Sequence, residues 1–341
     1  MEFQHALRKR VSCLETMVTL NNIREAQARL NGIAVRTKLL EPHIHENGEA
    51  DKRKLFLKPE NQQPIGAFKL RGAYNKVASL PPQERQHGVI TYSSGNHAQG
   101  VAYAARAMGV KCVVVMPNNV PATKREATKA LGAEIVVVGP GSKERQLKAE
   151  ELAAQHGYAI IPPYNDEKII AGQGTIGLEI LEDLPDAECV LAPVGGGGLS
   201  SGIATAIKLS NPKIKMIGVE PELAADCFAS FHKGEIVEFP AEQVSRTIAD
   251  GLRTQSVGTL NFEHIRKYVD DIVTVTEEEI GEAMRLLASN PKTVAEPSGA
   301  VATAAFLFHR DKLPQTKMNV AVISGGNIEP ELLARIRAKT S

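Results

Sequence analysis

The sequence predicts an α/β protein of two lobes, with parallel sheets flanked by helices. Apolar, β-branched segments alternate with helix-length segments through most of the chain, the pattern of parallel sheets covered by helices. Segments such as KCVVVMP (111–117) are almost continuously apolar, which suits strands buried on both faces. The length of 341 residues also exceeds what one core usually holds, and no low-complexity linker or repeat period appears.

The elements follow in order. A strand is predicted over 89–92, a helix over 96–108 and a second strand over 110–116. Helix 121–131, strand 134–138, helix 142–155 and a short strand at 158–161 complete the smaller lobe, residues 88–163. Residues 1–87 and 164–341 form the larger, discontinuous lobe, with strand 189–194, helix 199–210 and strand 214–219. Ligands of such folds sit beyond the carboxyl ends of the strands, so the strand-to-helix loops carry the functional reading.

Composition narrows the function classes. A formal net charge of +1 and the absence of Trp offer neither a basic field nor a base-stacking platform, so no nucleic-acid partner is expected. Cys13, Cys112, Cys189 and Cys227 are scattered, without disulfide or zinc-site spacing, which fits a reducing compartment. The first residues lack a long apolar segment, and no apolar run reaches the roughly 18–20 residues of a membrane span. A cytoplasmic protein without a membrane partner is expected.

Three glycine-bearing loops end strands. Gly195-Gly196-Gly197-Gly198 and Leu199 lead into a helix, where backbone N–H groups and the helix dipole favour an anion such as phosphate. The dinucleotide pattern G-x-G-x-x-G fails at Ser200, and no Gly-Lys-Ser/Thr follows. A tight strand–helix turn remains the alternative. In the second loop, Ser93, Ser94, Gly95, Asn96 and His97 suit a carboxylate, or plain N-capping by Ser94 or Asn96. The third is Ser324-Gly325-Gly326-Asn327. Lys69 lies among small and apolar neighbours in QPIGAFKLRGAYN (63–75). Desolvation there favours the neutral amine, the species that forms a Schiff base with an aldehyde cofactor; the alternative is an ordinary solvated lysine.

Residues 60–75, together with SSGNHAQG, IAGQGTIGLEIL, PVGGGGL, TIADG, EPSGA and ISGGN, resemble in order the motifs of the serine/threonine dehydratase family. These are pyridoxal-phosphate enzymes of fold type II, the tryptophan-synthase-β-like class, and the resemblance runs from about Asn31 to Ile336. It implies that Lys69 holds the cofactor and then serves as base on Cα. It implies phosphate binding by Gly195, Gly196, Gly197, Gly198 and Leu199, with Phe68 beside the ring. Asn96 would contact the ring 3-oxygen and Ser324 the pyridine nitrogen. Ser93, Ser94, Gly95 and His97 would receive the substrate carboxylate. The family often has Thr at Ile65 and Ser at Ala67, so two hydroxyls are missing here.

The activity so implied is ammonia-lyase action on L-threonine or L-serine, giving 2-oxobutanoate or pyruvate and ammonia. Ser324 supplies no charge to the pyridine nitrogen, which favours proton removal coupled to departure of the β-group. A serine racemase or a threo-3-hydroxyaspartate dehydratase is the rival. Ser94 matches the serine that racemase-like members place opposite the lysine, and it is a second candidate catalytic residue. Glu220, Ala224 and Asp226 resemble the divalent-cation loop of those members, with oxygen ligands suited to Mg²⁺ or Ca²⁺; an acidic surface loop is the alternative. The chain ends soon after ISGGN, with no room for a regulatory domain, which fits a catabolic role. The family also implies a homodimer. A non-catalytic phosphate or nucleotide binder is the reading from a different class, and Lys69 separates it, since a binder has no use for a buried amine.

Overall fold

The computed structural model describes residues 17–42, 53–93, 95–139 and 141–338. The first helix, α1 (Leu20–Leu30), begins where the Thr19 hydroxyl accepts the Asn22 N–H, and it buries Ile23, Ala26 and Leu30 on one face. Strand β1 (Lys54–Pro59) follows, and a loop leads to α2 (Lys69–Ser79). Next come β2 (Val89–Tyr92), α3 (Asn96–Ala107), β3 (Cys112–Pro117), α4 (Ala122–Ala130), β4 (Glu134–Val138), α5 (Ser142–His156) and β5 (Ala159–Ile160). These strands form a four-stranded sheet in the order β4-β3-β2-β5, every pair parallel. The strand expected over 158–161 forms ladder pairs only at Ala159 and Ile160.

Helix α6 (Glu167–Asp183) returns the chain, capped by Asp166, whose side chain accepts from Lys168 and Ile169 N–H. It is apolar and buried on nearly every side, as a helix packed between others must be. Then follow β6 (Cys189–Pro193), α7 (Gly198–Ser210), β7 (Lys215–Pro221), α8 (Asp226–Lys233), α9 (Thr259–Tyr268) and β8 (Asp271–Val275). The last elements are α10 (Glu277–Leu287), α11 (Pro297–Phe308), β9 (Met318–Ile323) and α12 (Pro330–Ala338). The larger sheet runs β1-β9-β6-β7-β8, again all parallel.

Strand β6 is buried throughout, with apolar layers on both faces of its sheet. That is why its sequence shows no polar alternation. Ala73 and Val77 of α2 pack into the core of the four-stranded sheet, while Gly72 N–H donates to Gln173 of α6 at 3.2 Å. The lysine-bearing helix therefore packs on the core of the four-stranded sheet and against α6. Among the described residues, no helix is long and apolar enough to cross a membrane.

Candidate active site

The loop before α2 and the loop after β9 are zipped together by backbone hydrogen bonds. Phe68 N–H donates to the Ser324 carbonyl at 3.0 Å, and Gly326 N–H to the Gly66 carbonyl at 2.9 Å. Ala67 pairs antiparallel with Gly325. The β2–α3 loop joins them through Asn96, whose side-chain Nδ2 donates to Glu296 Oε1 at 2.6 Å. Asn327 Nδ2 in turn donates to Asn96 Oδ1 at 2.7 Å. Asn96 therefore does not cap α3; Gly95 holds that position without a side-chain bond. Ser94 lies outside the described residues. Ser93 accepts the Gly95 N–H at 3.3 Å.

Lys69 begins α2. Part of its side chain is accessible, but its Nζ lies deep and donates to the Pro163 carbonyl at 2.8 Å. Burial lowers its pKa to about 8, far nearer neutrality than a solvated lysine. Among the described residues no carboxylate forms an ion pair with it, so no opposite charge offsets that desolvation. His97 is buried, with Nε2 3.0 Å from the Ile161 carbonyl. A carbonyl only accepts, so Nε2 carries the proton and the unpartnered Nδ1 has a lone pair. Burial and then the Lys69 charge push its pKa to about 3, which makes the ring neutral and a packing partner of the loop.

The tetraglycine loop lies at the end of β6, and no side chain caps α7. Its first-turn N–H groups are left for an anion. Gly197 has φ +90, a conformation that other residues rarely adopt. A Cβ on Gly196 would lie 2.3 Å from Tyr164 Cδ1, so the Tyr164 ring closes on the backbone of this buried loop where any side chain would clash. Residues 163–164 thus link the two halves of the site: the Pro163 carbonyl touches the lysine, and the Tyr164 ring packs on the tetraglycine loop. Ser324 is buried, and its hydroxyl donates to the Ser298 carbonyl at 3.3 Å.

Three groups in this cluster had no role assigned from the sequence: Pro163, Glu296 and Asn327. Glu296 is buried, and burial followed by the Asp250 charge raises its pKa to about 8. EPSGA and ISGGN stood out as motifs, but nothing local to either says that their side chains meet over Asn96.

Glu220, next to last in β7 and before α8, accepts the Cys227 and Phe228 N–H groups at 3.2 and 2.6 Å. Both carboxylate oxygens of buried Asp226 lack a hydrogen-bond partner; the Thr254 hydroxyl and Val257 N–H face them without closing a bond. Burial raises Asp226 to about 7, and burial plus the Asp226 charge raises Glu220 well above the ordinary range. Among the described residues, no cluster of three or more His, Cys, Asp or Glu side chains could hold a metal.

A family model for pyridoxal-phosphate dependent enzymes matches residues 35–325. The chain belongs to that family. It is 45% identical over 323 residues to the L-threonine ammonia-lyase of Thermotoga maritima, covering 94% of this chain and 78% of that protein. It is 44% identical over 320 residues to the catabolic L-threonine dehydratase TdcB of Escherichia coli K12, covering 94% and 96%. The structure of maize serine racemase matches with a TM-score of 0.87 at 35% identity, covering 94% of this chain and 97% of that one. The fold is that of fold type II pyridoxal-phosphate enzymes, and pyridoxal phosphate is the cofactor. The residues present fit this group: a deep lysine amine near neutrality for its aldehyde, and an uncapped helix start behind a side-chain-free loop for its phosphate.

Proposed function

We propose that this pyridoxal-phosphate enzyme is an L-threonine/L-serine ammonia-lyase, forming 2-oxobutanoate or pyruvate and ammonia by β-elimination. The observation that carries the reading is the Lys69 amine, deep, hydrogen-bonded to the Pro163 carbonyl and shifted by burial to about 8, in a chain 44% identical to a catabolic L-threonine dehydratase. The bound cofactor supplies an electron sink that acidifies the substrate Cα–H. Lys69 anchors that cofactor and, once free and neutral, takes the Cα proton. Backbone N–H groups of 195–199 would hold the phosphate, with Phe68 beside the ring, Asn96 toward the 3-oxygen and Ser324 toward the pyridine nitrogen. Ser93, Ser94 and Gly95 receive the substrate carboxylate, with neutral His97 supporting their loop. As the β-hydroxyl leaves with a proton, the released enamine tautomerises to an imine; water then replaces its nitrogen, giving the keto acid and ammonia.

The smaller lobe in this reading is 88–163 and the larger 1–87 with 164–341, and the protein is a cytoplasmic homodimer. The test is keto-acid release from L-threonine and L-serine, with D-serine followed in parallel. Release from both with no D-serine supports the lyase. D-serine accumulating faster than pyruvate would overturn it in favour of a racemase, the reading that the likeness to maize serine racemase supports.

The reading also gives Glu220, Ala224 and Asp226 a Mg²⁺ or Ca²⁺ ion, supported by two buried carboxylates without a cationic partner. Their raised folded pKa values mean that the metal-free fold binds more protons than the unfolded chain. Stability from this pair is full below the unfolded carboxylate range, and the share from Asp226 is lost as pH rises through about 7. Added Mg²⁺ or Ca²⁺ is therefore expected to raise the melting temperature more at about pH 8 than at about pH 6, reversibly by chelator. An equal or absent shift at the two pH values would contradict the site.

A further inference from the structure

We propose that Asn327 and Glu296 are positioning residues that fix the side-chain amide of Asn96, so that its nitrogen, and not its oxygen, faces the cofactor ring. This rests on the reading above that Asn96 contacts the ring 3-oxygen, and it adds what holds Asn96 in the productive orientation. An asparagine amide can point either way, and only the NH₂ end donates to an oxygen.

The orientation follows from one backbone atom. Asn327 Nδ2 lies 2.9 Å from the Ile65 carbonyl, which only accepts, so the nitrogen end of Asn327 is fixed there. The same nitrogen lies 2.7 Å from Asn96 at its Oδ1 position, and a second donor there would leave two N–H groups opposed. Asn96 is therefore held with its oxygen toward Asn327. Its Nδ2 then faces Glu296 Oε1 at 2.6 Å, and this oxygen offers a lone pair in either protonation state of the carboxyl. One N–H of Asn96 is spent on Glu296, and the other remains for the cofactor.

Two glycines make the arrangement possible. A Cβ on Gly66 would sit 2.3 Å from Asn327 Oδ1, and one on Gly325 would sit 2.3 Å from Glu296 Oε1. Both belong to the zipped pair of loops, so the lysine loop that carries the cofactor also supplies the carbonyl that orients Asn96. Glu296 is buried, and an unpaired carboxyl at that depth is costly; the Asn96 donor meets that demand.

The test uses the holoenzyme and reads the visible absorbance of the bound cofactor, its titration with pH, and the cofactor Kd. Asn96→Ala sets the reference change. Asn327→Asp, which cannot donate to Ile65 or Asn96, is expected to move the titration in the same direction as Asn96→Ala and to raise the Kd by about tenfold, the scale of one lost hydrogen bond to a charged group. Glu296→Leu is expected to do the same, while Glu296→Gln, which still accepts, keeps the parent spectrum. A parent-like spectrum and Kd in Asn327→Asp, beside a changed Asn96→Ala, would overturn the inference and leave the role of Asn96 intact. If Asn96→Ala itself changes nothing, the contact between Asn96 and the cofactor is refuted and the inference falls with it. Should Asn327→Asp not fold, Glu296→Leu decides: a parent-like spectrum there overturns the proposal.

Discussion

Replacing Lys69 with alanine is expected to remove the visible cofactor absorbance and the elimination activity together, with turnover falling by on the order of 10³-fold or more. General base catalysis alone contributes roughly 10²–10⁴-fold, and the covalent anchor is lost as well. The structure makes Lys69 suited to both tasks. Its amine is desolvated and donates to the Pro163 carbonyl, so the neutral form is accessible near physiological pH. Uptake of pyridoxal phosphate by the apoenzyme should accordingly quicken as pH rises and level off above about 8, the pKa to which burial lowers the amine. Stopped-flow absorbance measures that profile. A Lys69→Ala protein that stays yellow and active would contradict the assignment.

The second large effect concerns stability. Arg71, two residues beyond the lysine, is fully buried and bridges two buried carboxylates. It donates to Glu60 at 2.7 and 2.9 Å and to Glu179 at 2.7 and 2.9 Å. Lys58 donates to Glu179 at 2.6 Å, and the Thr37 hydroxyl to Glu60 at 2.7 Å. Two cations and two anions thus balance inside the protein. Burial works to raise Glu60, but the Arg71 charge and hydrogen bonds outweigh it and hold the carboxyl below its ordinary range.

Arg71→Met removes one cation and leaves two buried carboxylates with Lys58 alone. The expected cost is about 3–5 kcal/mol, the range for breaking a buried pair on one side. Because an orphaned carboxyl can escape that cost by taking a proton, the loss should shrink as pH falls from about 8 toward 5. Denaturant unfolding of parent and variant at both pH values checks this. A loss under about 1 kcal/mol, or one that grows toward acid, would contradict it. Cofactor affinity should fall in the same variant, since this network ties the start of α2 to β1 and α6.

Much of the architecture was legible in the sequence because parallel strands buried on both faces leave unbroken apolar runs, as in 112–117, and because glycine clusters mark strand ends. The pairing of β1 with β9 was not legible: their ladder joins Lys54 to Met318, and no local pattern encodes so distant a partner. The lysine and the tetraglycine loop carried local chemistry and could be singled out. Glu296 could not, because its meaning lies in a contact 200 residues away at Asn96. Asn327 was hidden for the same reason. His97 looked from the sequence like a substrate contact, but its ring is buried and hydrogen-bonded to the Ile161 carbonyl. Capping by Asn96, the alternative to a ligand contact, does not occur: Gly95 holds the cap position and the buried carboxyl of Glu296 engages the Asn96 amide.

The most direct test of the account is to reduce the holoenzyme with borohydride and locate the cofactor by peptide mass spectrometry. The account predicts a phosphopyridoxyl group on the peptide containing Lys69 and on no other. A modification at a different lysine, or none in protein that binds the cofactor, would contradict it.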